Sequence, residues 1–112
     1  MNINVEEKNS VVLISLEGEM IGGPAAAQLS EKLHELCDNN KKKILVDLQN
    51  IDWMNSSGLG ILIGSLTTLR NCGGEFKLLH LSKKVGELLK ITKLDRVFDI
   101  FEDEGEAIAS FS

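Results

Sequence analysis

The chain is short of most features that announce a special habitat or chemistry. It has one proline, one tryptophan, no tyrosine, two histidines and two cysteines in 112 residues. Cys37 and Cys72 lie outside any C-x-x-C and cannot build a multi-bridge secreted scaffold. Each reads as filler on an apolar helix face in a reducing compartment. Excess positive charge is also missing. Twelve basic against seventeen acidic residues leave a net charge of −5, which opposes phosphate backbones and anionic lipid, so nucleic acid and membrane surfaces are poor partners. The first residues, Met1 to Glu7, show no basic stretch followed by an apolar run, and so no secretory signal. The longest apolar stretch, Leu59 to Leu66, is interrupted by Gly60, Gly64 and Ser65 and is too short to cross a bilayer. The expected location is the cytoplasm.

What is present is an ordinary globular composition, 43% hydrophobic and 26% charged, on a length that suits one domain over residues 1–112. Val11 to Leu16 is a β-branched-rich run closed by Gly18, and Ile3 to Glu7 alternates ahead of it, so the two predict a hairpin turning at Lys8-Asn9-Ser10. Pro24 suits a first helical turn, and Ala26, Leu29, Leu33, Leu36 and Cys37 form a helical stripe ending near Asp38. Strand Ile44–Leu48 follows, entered through Lys41-Lys42-Lys43, a solvated cluster with no assigned function. A polar loop is expected from Gln49 to Asn55, then an apolar helix from Gly58 to Arg70 stopped by Gly73-Gly74. Phe76–His80 predicts a strand, Lys83–Lys90 a helix, Val97–Phe101 a short strand and Asp103–Phe111 a closing helix. The order ββαβαβαβα implies an α/β fold with a mixed sheet, because the crossovers favour parallel strands while the hairpin adds an antiparallel pair.

Few side chains converge on chemistry. Asn55-Ser56-Ser57-Gly58 joins the end of a central strand to the most apolar helix, and taken alone it is a helix cap. Gly58-Leu59-Gly60 with Gly64 misses the dinucleotide fingerprint by one residue, and the next strand ends in Leu79-His80-Leu81-Ser82 rather than in an acid. Gly60 and Gly64 instead suggest close approach of that helix to the sheet. His34 and His80 have no carboxylate or cysteine partner at ligand spacing, and no G-x-S-x-G is present, so neither a metal site nor a serine nucleophile is indicated. Asp47 at a strand end is expected to bond the backbone of the turn after it. No catalytic residue, metal or cofactor is assigned; the chain reads as a binding protein, not an enzyme.

The run Ile44 to Leu48, then Ile51-Asp52-Trp53-Met54-Asn55-Ser56-Ser57-Gly58-Leu59-Gly60, and later Gly73-Gly74, resembles the STAS domain of bacterial anti-sigma factor antagonists. Leu94 to Phe98 and Glu106-Ala107 are similar to that family's C-terminal part, so the likeness spans essentially the whole chain. The resemblance implies a fold with helices packed mainly on one sheet face, and a partner-switching role. An unphosphorylated antagonist of this kind captures an anti-sigma factor that is also a serine kinase, which frees a sigma factor. The kinase then phosphorylates the serine that matches Ser56, and a metal-dependent serine phosphatase reverses the step. ATP and Mg²⁺ belong to those partners.

One position departs from the pattern. The family usually carries Asp before the target serine, whereas Asn55 stands here, able to cap but uncharged. The expected contact surface joins Met20, Ile21, Gly22 and Gly23 to Trp53, Met54, Asn55, Ser56, Ser57 and Gly58. Trp53 and Met54 suit either interface anchors or core packing. A competing reading is an adaptor subunit of a transporter or signalling assembly that uses no phosphate switch.

Overall fold

The computed structural model describes residues 1–111, and its elements follow the anticipated order. They are β1 (Asn2–Lys8), β2 (Val11–Met20), α1 (Pro24–Asp38), β3 (Lys43–Met54), α2 (Ser56–Asn71) and β4 (Glu75–Leu79). After these come α3 (Lys83–Ile91), a 3-10 turn at Leu94–Arg96, β5 (Asp99–Phe101) and α4 (Glu104–Ala109). The five strands pair in sequence order; β1 is antiparallel to β2 and every later pair is parallel. The sheet is therefore mixed, with crossover helices between parallel neighbours.

Strand alternation divides the core into two layers. Ile14, Leu16, Ile44, Val46, Leu48 and Leu78 point to one face and meet Leu29 and Leu33 of α1, Leu62 and Leu69 of α2, and Val85 and Leu89 of α3. On the other face Val11, Leu13, Leu45 and Leu79 pack under Ala107 of α4. Three helices thus cover one side and one short helix the other. Lys77 lies on that second side, almost fully buried. Its ammonium donates to the Ser110 carbonyl at 3.0 Å and hydroxyl at 2.9 Å and sits 4.7 Å from the Phe111 ring centre, so the buried charge is satisfied. Lys8 of β1 donates to Glu104 of α4 at 2.8 Å, and the hydrogen bond to that carboxylate raises its pKa.

Several boundaries differ from the sequence reading, and β2, expected to close at Gly18 after Leu16, runs on to Met20. The segment from Gln49 to Asn55 is not a loop, because β3 continues to Met54. Its pairing with β2 runs Ser15 to Asp47, Glu17 to Asn50, Gly18 to Ile51 and Glu19 to Trp53, so β3 twice advances one residue more than its partner. Two bulges account for the exposed pairs Gln49-Asn50 and Asp52-Trp53, which break the strand alternation and so imitate a loop. The helix start moves from Gly58 to Ser56. Near the C-terminus, Leu94–Arg96 form the 3-10 turn and the last strand shortens to Asp99–Phe101.

The cysteines also depart from expectation. Cys37, in the last turn of α1, and Cys72, the C-cap of α2, are joined by a disulfide with their Cα atoms 6.2 Å apart. The reading of each as an unpaired filler is corrected accordingly. Both helices connect parallel strands in the same sense, so they run side by side and end together, although 35 residues separate the two positions in sequence.

The core assignment makes a direct contrast within α2. Leu62 is fully buried, and Leu62→Ala should lower stability by ~3 kcal/mol through lost burial and a residual cavity. Ile63, its exposed neighbour, should cost under ~1 kcal/mol on the same change. Urea denaturation of both variants measures the difference; equal midpoints would contradict the assigned face of the helix.

Candidate functional site

The candidate site is built where β2 and β3 leave the sheet. Met20 pairs with Met54 across the parallel ladder, so the residues that follow each strand emerge side by side at the C-terminal edge. This is where α/β sheets place their binding loops. Gly22 and Gly23 have φ of 95° and 64°, left-handed values that turn the chain sharply before Pro24 starts α1. On the other side Asn55 caps α2: its Oδ1 accepts the Gly58 N–H at 2.9 Å, and its carbonyl accepts Leu59 N–H at 3.0 Å.

Gly58 is the position on which the two loops close. A Cβ there would run into the Met20 carbonyl oxygen and lie 2.7 Å from Met54 Cγ. Only glycine lets the first turn of α2 rest directly on the end of β2. A similar approach joins Gly22 to Ser57, whose Cβ would be 3.1 Å from any Cβ at residue 22. The loops are therefore one packed unit.

The structure sorts the predicted contact residues by depth. Met20, Met54 and Gly58 are buried and form the floor, which settles Met54 as core. Ile21, Gly23, Ser56 and Ser57 are exposed, while Gly22 and Asn55 are half-buried. Ile21 and Trp53 each expose 48% of their surface, a large apolar area for the edge of a small domain. Trp53 points outward because the second bulge shifts the strand's phase and turns Met54 inward instead. Lys84 of α3 holds its ammonium 5.8 Å from the Trp53 ring centre, a neighbour that no local spacing in the sequence indicated.

Ser56 occupies the first position of α2 and faces solvent. Among the described residues its hydroxyl has no hydrogen-bond partner, and its amide precedes any intrahelical acceptor. An anion placed on this oxygen would sit at the positive end of a sixteen-residue helix. Ser56 is exposed, so such an anion would face water rather than the core.

The other residues weighed from sequence lie elsewhere. Asp47 accepts the Gln49 N–H at 3.0 Å, as expected of a turn carboxylate, and its second oxygen is 3.2 Å from His80 Nδ1. His34 is exposed on α1 and bonds the Ser30 carbonyl at 2.8 Å. Among the described residues no three His, Cys, Asp or Glu side chains gather where an ion could sit, and no helix is long and apolar enough to cross a membrane. Gly60 and Gly64 do not approach the sheet; they are exposed, and a Cβ on either meets nothing within 4 Å. They line instead a groove of about 510 Å³ between α1 and α2, with Ala26, Ser30, Leu33 and Ile61.

A mixed five-stranded sheet whose longest strand delivers an outward-facing serine to the capped start of a helix defines a recognisable class of regulatory α/β domain. The chain belongs to the STAS domain family, whose model matches residues 2–107. It is 33% identical over 102 residues to the anti-sigma-B factor antagonist of Bacillus subtilis, covering 89% of this chain and 92% of that one. The unphosphorylated form of the anti-sigma factor antagonist SpoIIAA superposes with a TM-score of 0.78 at 25% identity, over 96% of this chain and 93% of that structure. The phosphorylated form of the Bacillus cell fate determinant SpoIIAA gives a TM-score of 0.73 at 24% identity, over 96% and 97% of the two chains, and shares the fold.

The two glycines of α2 make opposite predictions. Gly58→Ala should destabilise the domain by ~2 kcal/mol or more, because a backbone carbonyl cannot retreat as a side chain can. Gly60→Ala should stabilise it by up to ~1 kcal/mol, since open space leaves only the gain in helix propensity. Thermal melts of both variants test the pair; a neutral Gly58→Ala would mean that the two loops do not pack.

Proposed function

We propose that this chain is an anti-sigma factor antagonist of the bacterial cytoplasm that works by partner switching. In its unphosphorylated form it captures an anti-sigma factor that is also a serine kinase, and a sigma factor is released. Phosphorylation of Ser56 by that kinase ends the capture, and a metal-dependent serine phosphatase restores it. The observation that carries this reading is the Ser56 hydroxyl, exposed and unpartnered at the first position of α2, on the same rim as Ile21 and Trp53. Relatives named as anti-sigma-B factor antagonists support it.

The energetics favour a switch in binding rather than in folding. A phosphate adds about −1.5 to −2 charges and three acceptor oxygens. Over the free amides of a helix start that charge gains ~0.3–1 kcal/mol. Against a partner surface packed on Ile21, Trp53 and Ser57, an unpaired charge costs several kcal/mol, and ~4 kcal/mol is about a thousandfold in affinity. Met20, Met54 and Gly58 support the rim from below, while the exposed residues make the contact.

Asn55 favours a second reading, an adaptor that binds through the same rim without a phosphate cycle. It holds the cap through its amide oxygen but supplies no carboxylate beside the acceptor hydroxyl. We infer that Ser56 remains the acceptor and that Asn55 alters the rate or the choice of kinase.

Two measurements decide between the readings. Incubation with an anti-sigma factor serine kinase that binds this chain, followed by phosphate mapping by mass spectrometry, should label Ser56; a label on Ser57 or elsewhere would overturn the assignment. In direct binding to that kinase, Ser56→Glu should lower affinity roughly a hundredfold or more while Ser56→Ala stays within about threefold of the native chain. Equal affinities for all three would remove the switch and leave the adaptor.

A further inference from the structure

We propose that Cys37 and Cys72 form a reversible thiol–disulfide site whose oxidised state sets the spacing of α1 and α2 beneath the rim that carries Ser56. The bridge joins the last turn of α1 to the C-cap of α2, and these are the chain's only cysteines, so no other thiol competes for either. Both are half-buried and within reach of a small reagent.

The backbone on each side is already fixed by capping bonds. Asn40 N–H donates to the Cys37 carbonyl at 3.1 Å, Cys72 N–H to the Thr68 carbonyl at 3.2 Å, and Gly74 N–H to the Leu69 carbonyl at 2.7 Å. With the Cα atoms 6.2 Å apart, inside the range a disulfide spans, opening and closing need only side-chain rotation. Both sulfurs lie at helix C-terminal ends, where the macrodipole works against a thiolate, so exchange is slow compared with a cysteine at a helix start.

On their buried side α1 and α2 share one core through Leu29, Leu33, Leu62 and Leu66, and the bridge adds a covalent tie at their far ends. Their solvent-facing side is a groove of about 510 Å³ that runs along α2 from Ser57 to Thr68, and Gly60 and Gly64 present it with no side chain. On the solvent side of that core the ties are Gly22 against Ser57 at the rim and Cys37 against Cys72 at the far edge. Removing the far tie leaves the core leucines alone to set how α1 lies on α2, and the rim loop before α1 follows any adjustment between them.

The oxidant is a low-molecular-weight disulfide. The thiolate of one cysteine attacks it and displaces one small thiol; the second cysteine attacks the resulting mixed disulfide and displaces the other. One small disulfide becomes two small thiols, and the two protein thiols give up their protons to them. The proposal stands independently of which partner the rim binds.

The test uses the intact chain in buffers of oxidised and reduced glutathione, with alkylation and intact mass measurement. At the oxidising end we expect one unalkylated species lighter by two hydrogens than the reduced chain, and at the reducing end two alkylated thiols. Persistent mixed disulfides, or thiols that alkylate throughout, would overturn the site. Reduction of the native chain should then lower its melting temperature by roughly 10 °C. It should also speed hydrogen exchange in residues 22–30 and 56–64 while residues 44–48 stay protected. Unchanged melting and exchange would overturn the mechanical role. Cys72→Ser should ignore the redox buffer, and a response in that variant would trace the effect to another cause.

Discussion

Met20 and Met54 stand opposite each other where β2 and β3 leave the sheet, and the turn that opens α2 has to cross the Met20 carbonyl with only Gly58 between them. The parallel register brings the two loops to the same edge, but register alone would leave them as separate connections. Close packing at Gly58 makes them a single surface. The Asn55 cap depends on this contact, since its oxygen accepts the amide of that same glycine at 2.9 Å. The outward aim of Ser56 in turn depends on the cap, because the residue after an N-cap begins the helix and its side chain clears the strand below. One steric constraint thus runs from a backbone approach in the interior to the exposure of a hydroxyl at the surface.

The bulges in β3 serve the same end by a different route. A regular strand from Lys43 to Met54 would alternate without a break and would put Ile51 on the wrong face relative to Leu48. Each extra residue restores the phase, so that Leu48, Ile51 and Met54 all enter the core while Asp52 and Trp53 turn outward together. The strand reaches the rim without losing its hold on the helices. Its last outward residue is the indole that Lys84 covers.

Much of this was legible from residue patterns, and the parts that were not share a cause. Helical and strand periodicity located the five strands and four α-helices but not the 3-10 turn, since Leu29, Leu33 and Leu36, or Val85 and Leu89, repeat on one face wherever the chain is read. The cap at Asn55 was visible because N-caps are local. The bulged half of β3 was hidden, because two outward-facing pairs inside a strand break its alternation and look like a loop when the partner strand is unknown. The disulfide was hidden for the same reason: its cysteines are remote in sequence and meet only after two crossovers align the helices. Gly60 and Gly64 carry a spacing that fits either a sheet contact or a helix groove, and only the rotation of α2 chooses between them. Local chemistry could be read directly, whereas pairing across the sheet could not.

The proposed charge-operated switch would gain its selectivity from an asymmetry of solvation. The same added phosphate meets two environments: on its own chain the positive end of α2, open to water and free of acidic side chains in the first turn, and on a bound partner a desolvated contact. Domain stability and partner affinity therefore respond with opposite sign to one modification. A serine one turn deeper would lose the free amides, and one on the preceding strand would lose the dipole. Asn55 keeps the geometry of this arrangement while lowering the local negative charge beside the acceptor, so the energetic case for a switch survives the substitution. In the proposed switch it would alter the approach of a kinase to the hydroxyl, a kinetic matter, and not the difference between the two bound states on which switching rests.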